Sequence, residues 1–237
     1  MKIIINLIRN IMGRIIQYLM CLRDFVFTRG ACDFATWVEL DELGIDKEKG
    51  NKYQPTFVPI NRIIKKKYNV SQEDAVIDIG CGKGYAMYML HKSGFGVIDG
   101  YDLNQRLVDC ANNNFKMLGY DNCHAFCGNA ETYSDYEKYN YFYIFNSVPE
   151  TVFIRMMNNI EESLSRKPRD AVLILVNPEC RSIVDKSMFF RVDYSKKGDN
   201  VMDGCIVLQN SLTCLILKEL QCPCYDHTLI FWGKIIV

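Results

Sequence analysis

With 237 residues, 49% of them hydrophobic and 24% charged, the chain can bury a sizeable core and matches the size of one α/β domain with appendages. Its 28 basic and 28 acidic residues cancel, and a pI near 6.8 leaves no general field to gather nucleic acid, so there is no strong nucleic-acid signal. Eleven cysteines spread through candidate strands and helices are unlike the framework of a small secreted scaffold and predict a reducing, cytoplasmic compartment.

Residues 1 to 23 place apolar side chains at Ile3, Ile4, Leu7, Ile8, Ile11, Met12, Ile15, Ile16 and Leu19, with Lys2, Asn6, Arg9, Asn10 and Gln17 between them. That spacing predicts an amphipathic helix. Arg9 and Arg14 interrupt the apolar run and no small-residue cleavage site follows, so the segment is read as kept and not as a signal peptide. Between Met1 and Gly30 the charges are Lys2, Arg9, Arg14, Arg23 and Arg29 against Asp24 alone. Such a basic face suits either peripheral contact with an anionic membrane surface, or packing on the rest of the chain or on a second copy in a homo-oligomer. Asp24 to Asn51 reads as a linker with a short helix around Val38 to Leu43, which sets the division at residues 1–52 and 53–237.

From Tyr53 onward strands and helices alternate, predicting a doubly wound, mostly parallel sheet covered on both faces. Pro59 sits near the start of a helix that runs to about Lys67, whose Lys65, Lys66 and Lys67 form a solvated end. Ala75 to Ile79 is a buried first strand. A helix then spans Lys83 to Lys92, a strand Gly96 to Tyr101, a long helix Asn104 to Leu118, and strands follow at His124 to Cys127 and Tyr141 to Phe145. Val152, Phe153, Met156, Met157, Ile160 and Leu164 stripe the next helix, with Pro149 and Glu150 in its first turn, and Ala171 to Val176 is a fifth strand. Phe189 to Tyr194 is also strand-like. Either Cys205 to Leu208 or Thr228 to Val237 supplies an antiparallel edge strand.

Two groupings, Cys123, His124 and Cys127, and Cys222, Cys224 and His227, lack the paired spacing of structural zinc, and no metal is expected. The longest uncharged stretch, Gly204 to Leu217, is shorter than the roughly 20 residues a bilayer span requires, so no transmembrane helix is expected.

The strongest local signal is Val76-Ile77-Asp78-Ile79-Gly80-Cys81-Gly82-Lys83-Gly84-Tyr85, a buried strand ending in three alternating glycines before a helix. Glycines there permit a tight turn and close approach of a ligand, and the helix N-terminus behind them favours a negative group such as an amino-acid carboxylate. A dinucleotide loop needs Gly-x-Gly-x-x-Gly. Here the residue three after Gly82 is Tyr85, which disfavours a nicotinamide cofactor.

This segment resembles the cofactor loop of class I S-adenosyl-L-methionine (SAM) dependent methyltransferases, and the likeness continues through the next 100 residues or so. It implies a Rossmann-like methyltransferase sheet with an N-terminal helical extension, SAM as cofactor, and Asp78, Gly80, Gly82 and Gly84 beside it. It also implies that Asp102, closing the second strand, accepts hydrogen bonds from the ribose hydroxyls. Asp99 is the neighbouring alternative, but alternation along the strand puts Asp102 at its carboxyl end. Gly128-Asn129-Ala130 matches the adenine-contacting position, with Asn129 where an acidic residue is usual. Asn146 falls at the sheet edge where the methyl group and its acceptor meet, or else caps the following helix. Ser147 and Val148 depart from the prolines of DNA amine methyltransferases. Leu40 to Gly44 and Tyr53-Gln54-Pro55-Thr56 resemble a segment of a bacterial branch of the family that covers the cofactor, so Tyr53 and Thr56 are candidate lid residues, although Tyr53 also suits plain packing.

The resemblance implies methyl transfer to an unidentified acceptor, a protein lysine or a small glycan or metabolite. The alternative is a SAM-binding regulatory or scaffold protein without catalysis.

Overall fold

The computed structural model describes residues 60–145 and 148–176 continuously, parts of residues 15–55, and the backbone of two strands at 191–196 and 205–210. Thr56, Asn146, Cys222, Cys224, His227 and Thr228 to Val237 lie outside the described residues, as do most positions of the N-terminal helix read from residues 1 to 23.

Five parallel strands form the body of the sheet: β1 (Ala75–Ile79), β2 (Val97–Asp102), β3 (Cys123–Cys127), β4 (Tyr141–Phe145) and β5 (Ala171–Val176), in the order β3-β2-β1-β4-β5. β1 and β5 are buried along their whole length, as expected of strands covered on both faces. The expectation of a single antiparallel edge strand needs correction. Beyond the parallel strands, β7 (Cys205–Asn210) lies against β5 and is itself flanked by β6 (Arg191–Lys196), so the segment offered as an edge is an inner strand.

Among the described residues the helices are α1 (Leu40–Leu43), α2 (Ile60–Lys67), α3 (Tyr85–His91), α4 (Gln105–Leu118) and α5 (Glu150–Arg166). Strand alternation sends neighbouring side chains into two cores. Val76, Ile98, Tyr143 and Ile174 meet α2, α3 and α4 on one face, while Ile77, Ile79, Phe142 and Leu173 meet α5 on the other. α4 starts where Asn104 Oδ1 accepts the N–H groups of Arg106 and Leu107, and ends at Gly119 with φ 68°. Its buried stripe, Leu107, Val108, Ala111, Asn114 and Phe115, contains one polar residue. α5 begins at Glu150 after Pro149, which is the residue at the cap position.

The segment read as a linker is packed. Phe34 is buried in the first core with Cys32 beside it, and a two-residue antiparallel bridge joins Val38 to Tyr53. Leu43, Tyr53 and Leu107 form a small apolar cluster of their own. The described residues between 33 and 44, together with Tyr53, therefore act as a strap that contacts the carboxyl end of the sheet.

Candidate functional site

Strand order reverses between β1 and β4, and in open α/β sheets the crevice outside the carboxyl ends at such a point is where ligands bind. The glycine loop after β1 lies there. Gly80, Gly82 and Gly84 have φ of 75°, 53° and 82°, which residues with a Cβ adopt only at a cost.

Two carboxylates organise this end of the sheet. Asp102, last residue of β2, accepts Gly82 N–H on Oδ2 and Asn104 N–H on Oδ1, each at 2.9 Å, and so ties the glycine loop to the neighbouring strand. The loop also rests on β2 through Tyr101 O, which accepts both Gly80 and Cys81 N–H at 2.9 Å. Burial raises the Asp102 pKa, against the lowering effect of backbone N–H donors from Asn104, Gly82 and Leu103. Asp78 is buried, and its Oδ2 has no hydrogen-bond partner in the protein. Burial, and then the Asp102 charge, push its pKa well above the usual carboxylate range.

Asp99 is not part of this arrangement. Three residues from Asp102, it faces the opposite side of β2, where Tyr139 OH donates to it at 2.6 Å and Lys138 lies at 3.3 Å. Alternation along the strand thus separates the two candidate acidic residues.

The loop glycines have a physical role the sequence did not show. A Cβ at Gly82 would collide with the ring of Tyr53, and one at Gly84 would collide with Phe115 and approach Ala111. Gly82 thus admits the strap, and Gly84 admits α4. Tyr53 is buried, its hydroxyl donates to Phe34 O at 2.5 Å, and burial raises its phenol pKa with a further contribution from Asp33. The structure places Tyr53 on the glycine loop.

Asn129 follows β3, with its Oδ1 accepting Glu131 N–H at 2.9 Å while the residue stays exposed; Ala130 beside it is buried. The β3 exit is held against β2 by Gly128 N–H to Asp102 O at 2.9 Å. Pro149 occupies the cap position of α5, and this argues against Asn146 being that helix's cap.

Three residues that sequence reasoning missed fasten the strap. Lys83, buried inside the glycine loop, pairs with Asp33 and lies 5.5 Å from the centroid of the Tyr53 ring. Asn114, buried in α4, donates to Asp33 O and Lys83 O at 3.1 Å each and accepts Asp33 N–H at 3.0 Å. Asn104 also serves the strap, donating to Leu43 O at 2.8 Å. The available signal was an asparagine on the apolar stripe of α4, where a polar group must find partners.

Residues 76–167 match the family model described as a methyltransferase domain. A comparison with curated protein sequences finds no match. Among solved structures, a protein studied for conversion of a disulfide bond into a thioacetal group during echinomycin biosynthesis has a TM-score of 0.54 at 12% identity, covering 85% of this chain and 97% of that one. SMU.1697c, a putative methyltransferase from Streptococcus mutans in complex with SAH, has a TM-score of 0.51 at 10% identity, covering 64% and 95%. An rRNA methylase from Streptococcus thermophilus has a TM-score of 0.50 at 13% identity, covering 65% and 96%. At these identities the likeness is one of fold. The family match spans the glycine loop, Asp102 and the strands around them, so this part of the chain is similar to a methyltransferase domain, and the fold as a whole is similar to those of the solved structures above.

Proposed function

We propose that the chain binds SAM at the carboxyl end of β1 and β2 and transfers its methyl group to a nucleophile on a protein lysine, a small glycan or a metabolite. The observation that carries this is the pair of acidic residues on one face of the sheet. Asp102 accepts Gly82 N–H of the glycine loop on Oδ2 and Asn104 N–H on Oδ1, leaving acceptor capacity for ribose hydroxyls, and Asp78 Oδ2 is a buried acceptor without a donor. An orphaned buried carboxylate is costly, and a ligand ammonium supplies the missing donor. The residues present therefore fit the cofactor.

SAM, held by the glycine loop, Asp78 and Asp102, would supply a sulfonium-activated methyl carbon to the acceptor's lone pair, with the demethylated sulfur as leaving group and the acceptor's proton passing to solvent. The chain's own contribution is proximity and orientation. Asp102 fixes the loop and the ribose end, Asn129 offers its amide oxygen near the adenine end, and Tyr53 with Thr56 forms the cover. Asn146, after β4, orients the acceptor. The strap excludes water from the glycine loop through Tyr53, Leu43 and Leu107.

Calorimetry with SAM and its demethylated product tests cofactor binding, and folded protein that binds neither overturns the proposal. The acceptor class is tested with methyl-labelled SAM in a cell extract separated by size. Label entering only nucleic acid refutes the acceptor classes named here, and binding without any transfer leaves a non-catalytic SAM-binding protein.

A further inference from the structure

Ahead of the strap, Ile15, Tyr18, Leu19, Leu22 and Val26 are helical, and each is between 45% and 69% exposed. At 100° per residue these five positions fall within an arc of about 100°, and from the first to the last they extend about 16 Å along the axis. They form one continuous apolar stripe. Among the described residues, the other exposed large apolar side chains, Val97, Leu103, Met117 and Ile154, are scattered, as isolated apolar surface residues ordinarily are.

The charge of this region differs from that of the rest. The first 30 residues hold five bases and one acid, so the remainder of a chain that is neutral overall is net acidic. In the sequence the same apolar phase continues upstream through Ile4, Ile8 and Ile11. Among the described residues no helix is long and apolar enough to cross a membrane. An apolar stripe with basic residues interspersed in its sequence is suited to lie along an interface, with apolar groups in the acyl boundary and cations among anionic headgroups.

We infer that this stripe is a docking surface for an anionic lipid bilayer. The basic segment is drawn to the surface while the net-acidic remainder is repelled, which orients the chain with its N-terminal helix toward the lipid. A second copy of the chain is the competing occupant. Charge disfavours it, because a symmetric contact would bring two basic segments together.

The test uses the full chain and phosphatidylcholine vesicles with and without phosphatidylglycerol, at low and high salt. The comparison protein is the double variant Leu19→Glu, Leu22→Glu, both at exposed positions, with its fold checked by circular dichroism. Wild type is expected to cosediment with the anionic vesicles, and to do so at least about tenfold less when the double variant is used, when salt is raised, or when phosphatidylglycerol is omitted. Wild type that does not sediment with anionic vesicles overturns the inference, as does equal sedimentation of the variant. Self-association by sedimentation velocity that the double variant abolishes, with no vesicle binding by either protein, assigns the stripe to a second copy and also overturns it.

Discussion

The ring of Tyr53 rests on Gly82, so closely that a single methyl group at Gly82 would overlap it. The glycine has φ 53°, so a Cβ there is unfavourable for backbone reasons as well. Gly82→Ala is expected to cost about 2–3 kcal/mol. Part of that cost belongs to the contact: in a double-mutant cycle with Tyr53→Ala, measured by denaturant unfolding, a coupling of roughly 1 kcal/mol is expected. Strict additivity would show that the two residues do not meet.

Asp102→Ala removes the acceptor for Gly82 and Asn104 N–H as well as the proposed partner of the ribose. Affinity for SAM is expected to fall at least about 100-fold, a loss of about 3 kcal/mol. Asp99→Ala, on the other face of the strand, should leave affinity largely intact in protein that remains folded. Calorimetry on both variants checks the assignment, and the reverse order of effects refutes it.

Asp78 gives a pH signature. Its folded-state pKa is raised, so the folded protein holds its proton more tightly than the unfolded chain. The resulting stabilisation is full below the unfolded carboxylate value and is lost as pH rises through the folded value. Asp78→Asn has no such slope. The ligand-free variant is expected to be more stable than wild type by about 1 kcal/mol or more at pH 8, with the gap closing as pH is lowered. If the ligand ammonium pairs with this carboxylate as proposed, wild-type affinity for SAM should weaken as pH falls through the raised pKa, and the variant should bind poorly throughout. Thermal unfolding and calorimetry across pH read both effects.

Asn114→Ala strips three hydrogen bonds from the contact between α4, the strap and the glycine loop, and removes the Asn114 donor to the buried Lys83 carbonyl. A loss of about 2–4 kcal/mol is expected. Limited proteolysis should cut the variant faster than wild type within residues 33–53. Unchanged cleavage there would remove Asn114 as a fastener of the strap.

Asn146→Ala addresses the acceptor end of the site. Turnover with an identified acceptor is expected to fall at least about tenfold while SAM affinity stays the same. Wild-type turnover in folded variant protein would end its assignment to the methyl acceptor.

Much of the architecture was legible because parallel strands buried on both faces read as apolar runs. Ala75 to Ile79, Tyr141 to Phe145 and Ala171 to Val176 have the bounds expected, and Asn104 and Gly119 mark the ends of α4. The glycine pattern located the tight loop after β1, since backbone conformations that exclude a Cβ leave a residue-level trace. Alternation along β2 separated Asp102 from Asp99 for a similar reason: a period of two is a local property of the strand.

The strap was legible only in part: the family resemblance pointed to Leu40 to Gly44 and Tyr53 as a cover, but not to the contacts that fasten it. Asp24 to Asn51 has linker composition, yet Phe34 enters the core, Asp33 pairs with Lys83, and Tyr53 covers Gly82. The Tyr53–Gly82 and Asp33–Lys83 contacts join residues 29 and 50 positions apart, Asp33 and Asn114 are 81 apart, and no local periodicity encodes them. The order of strands beyond β5 was likewise settled by hydrogen bonding between β7 and its two neighbours, which composition alone does not rank. Sequence determined the identity of most elements and the position of the glycine loop, because both follow from local backbone rules. Only the tertiary structure decided that Asp33, Lys83 and Asn114 fasten the cover to that loop, because long-range packing joins side chains whose sequence separation carries no information about their contact.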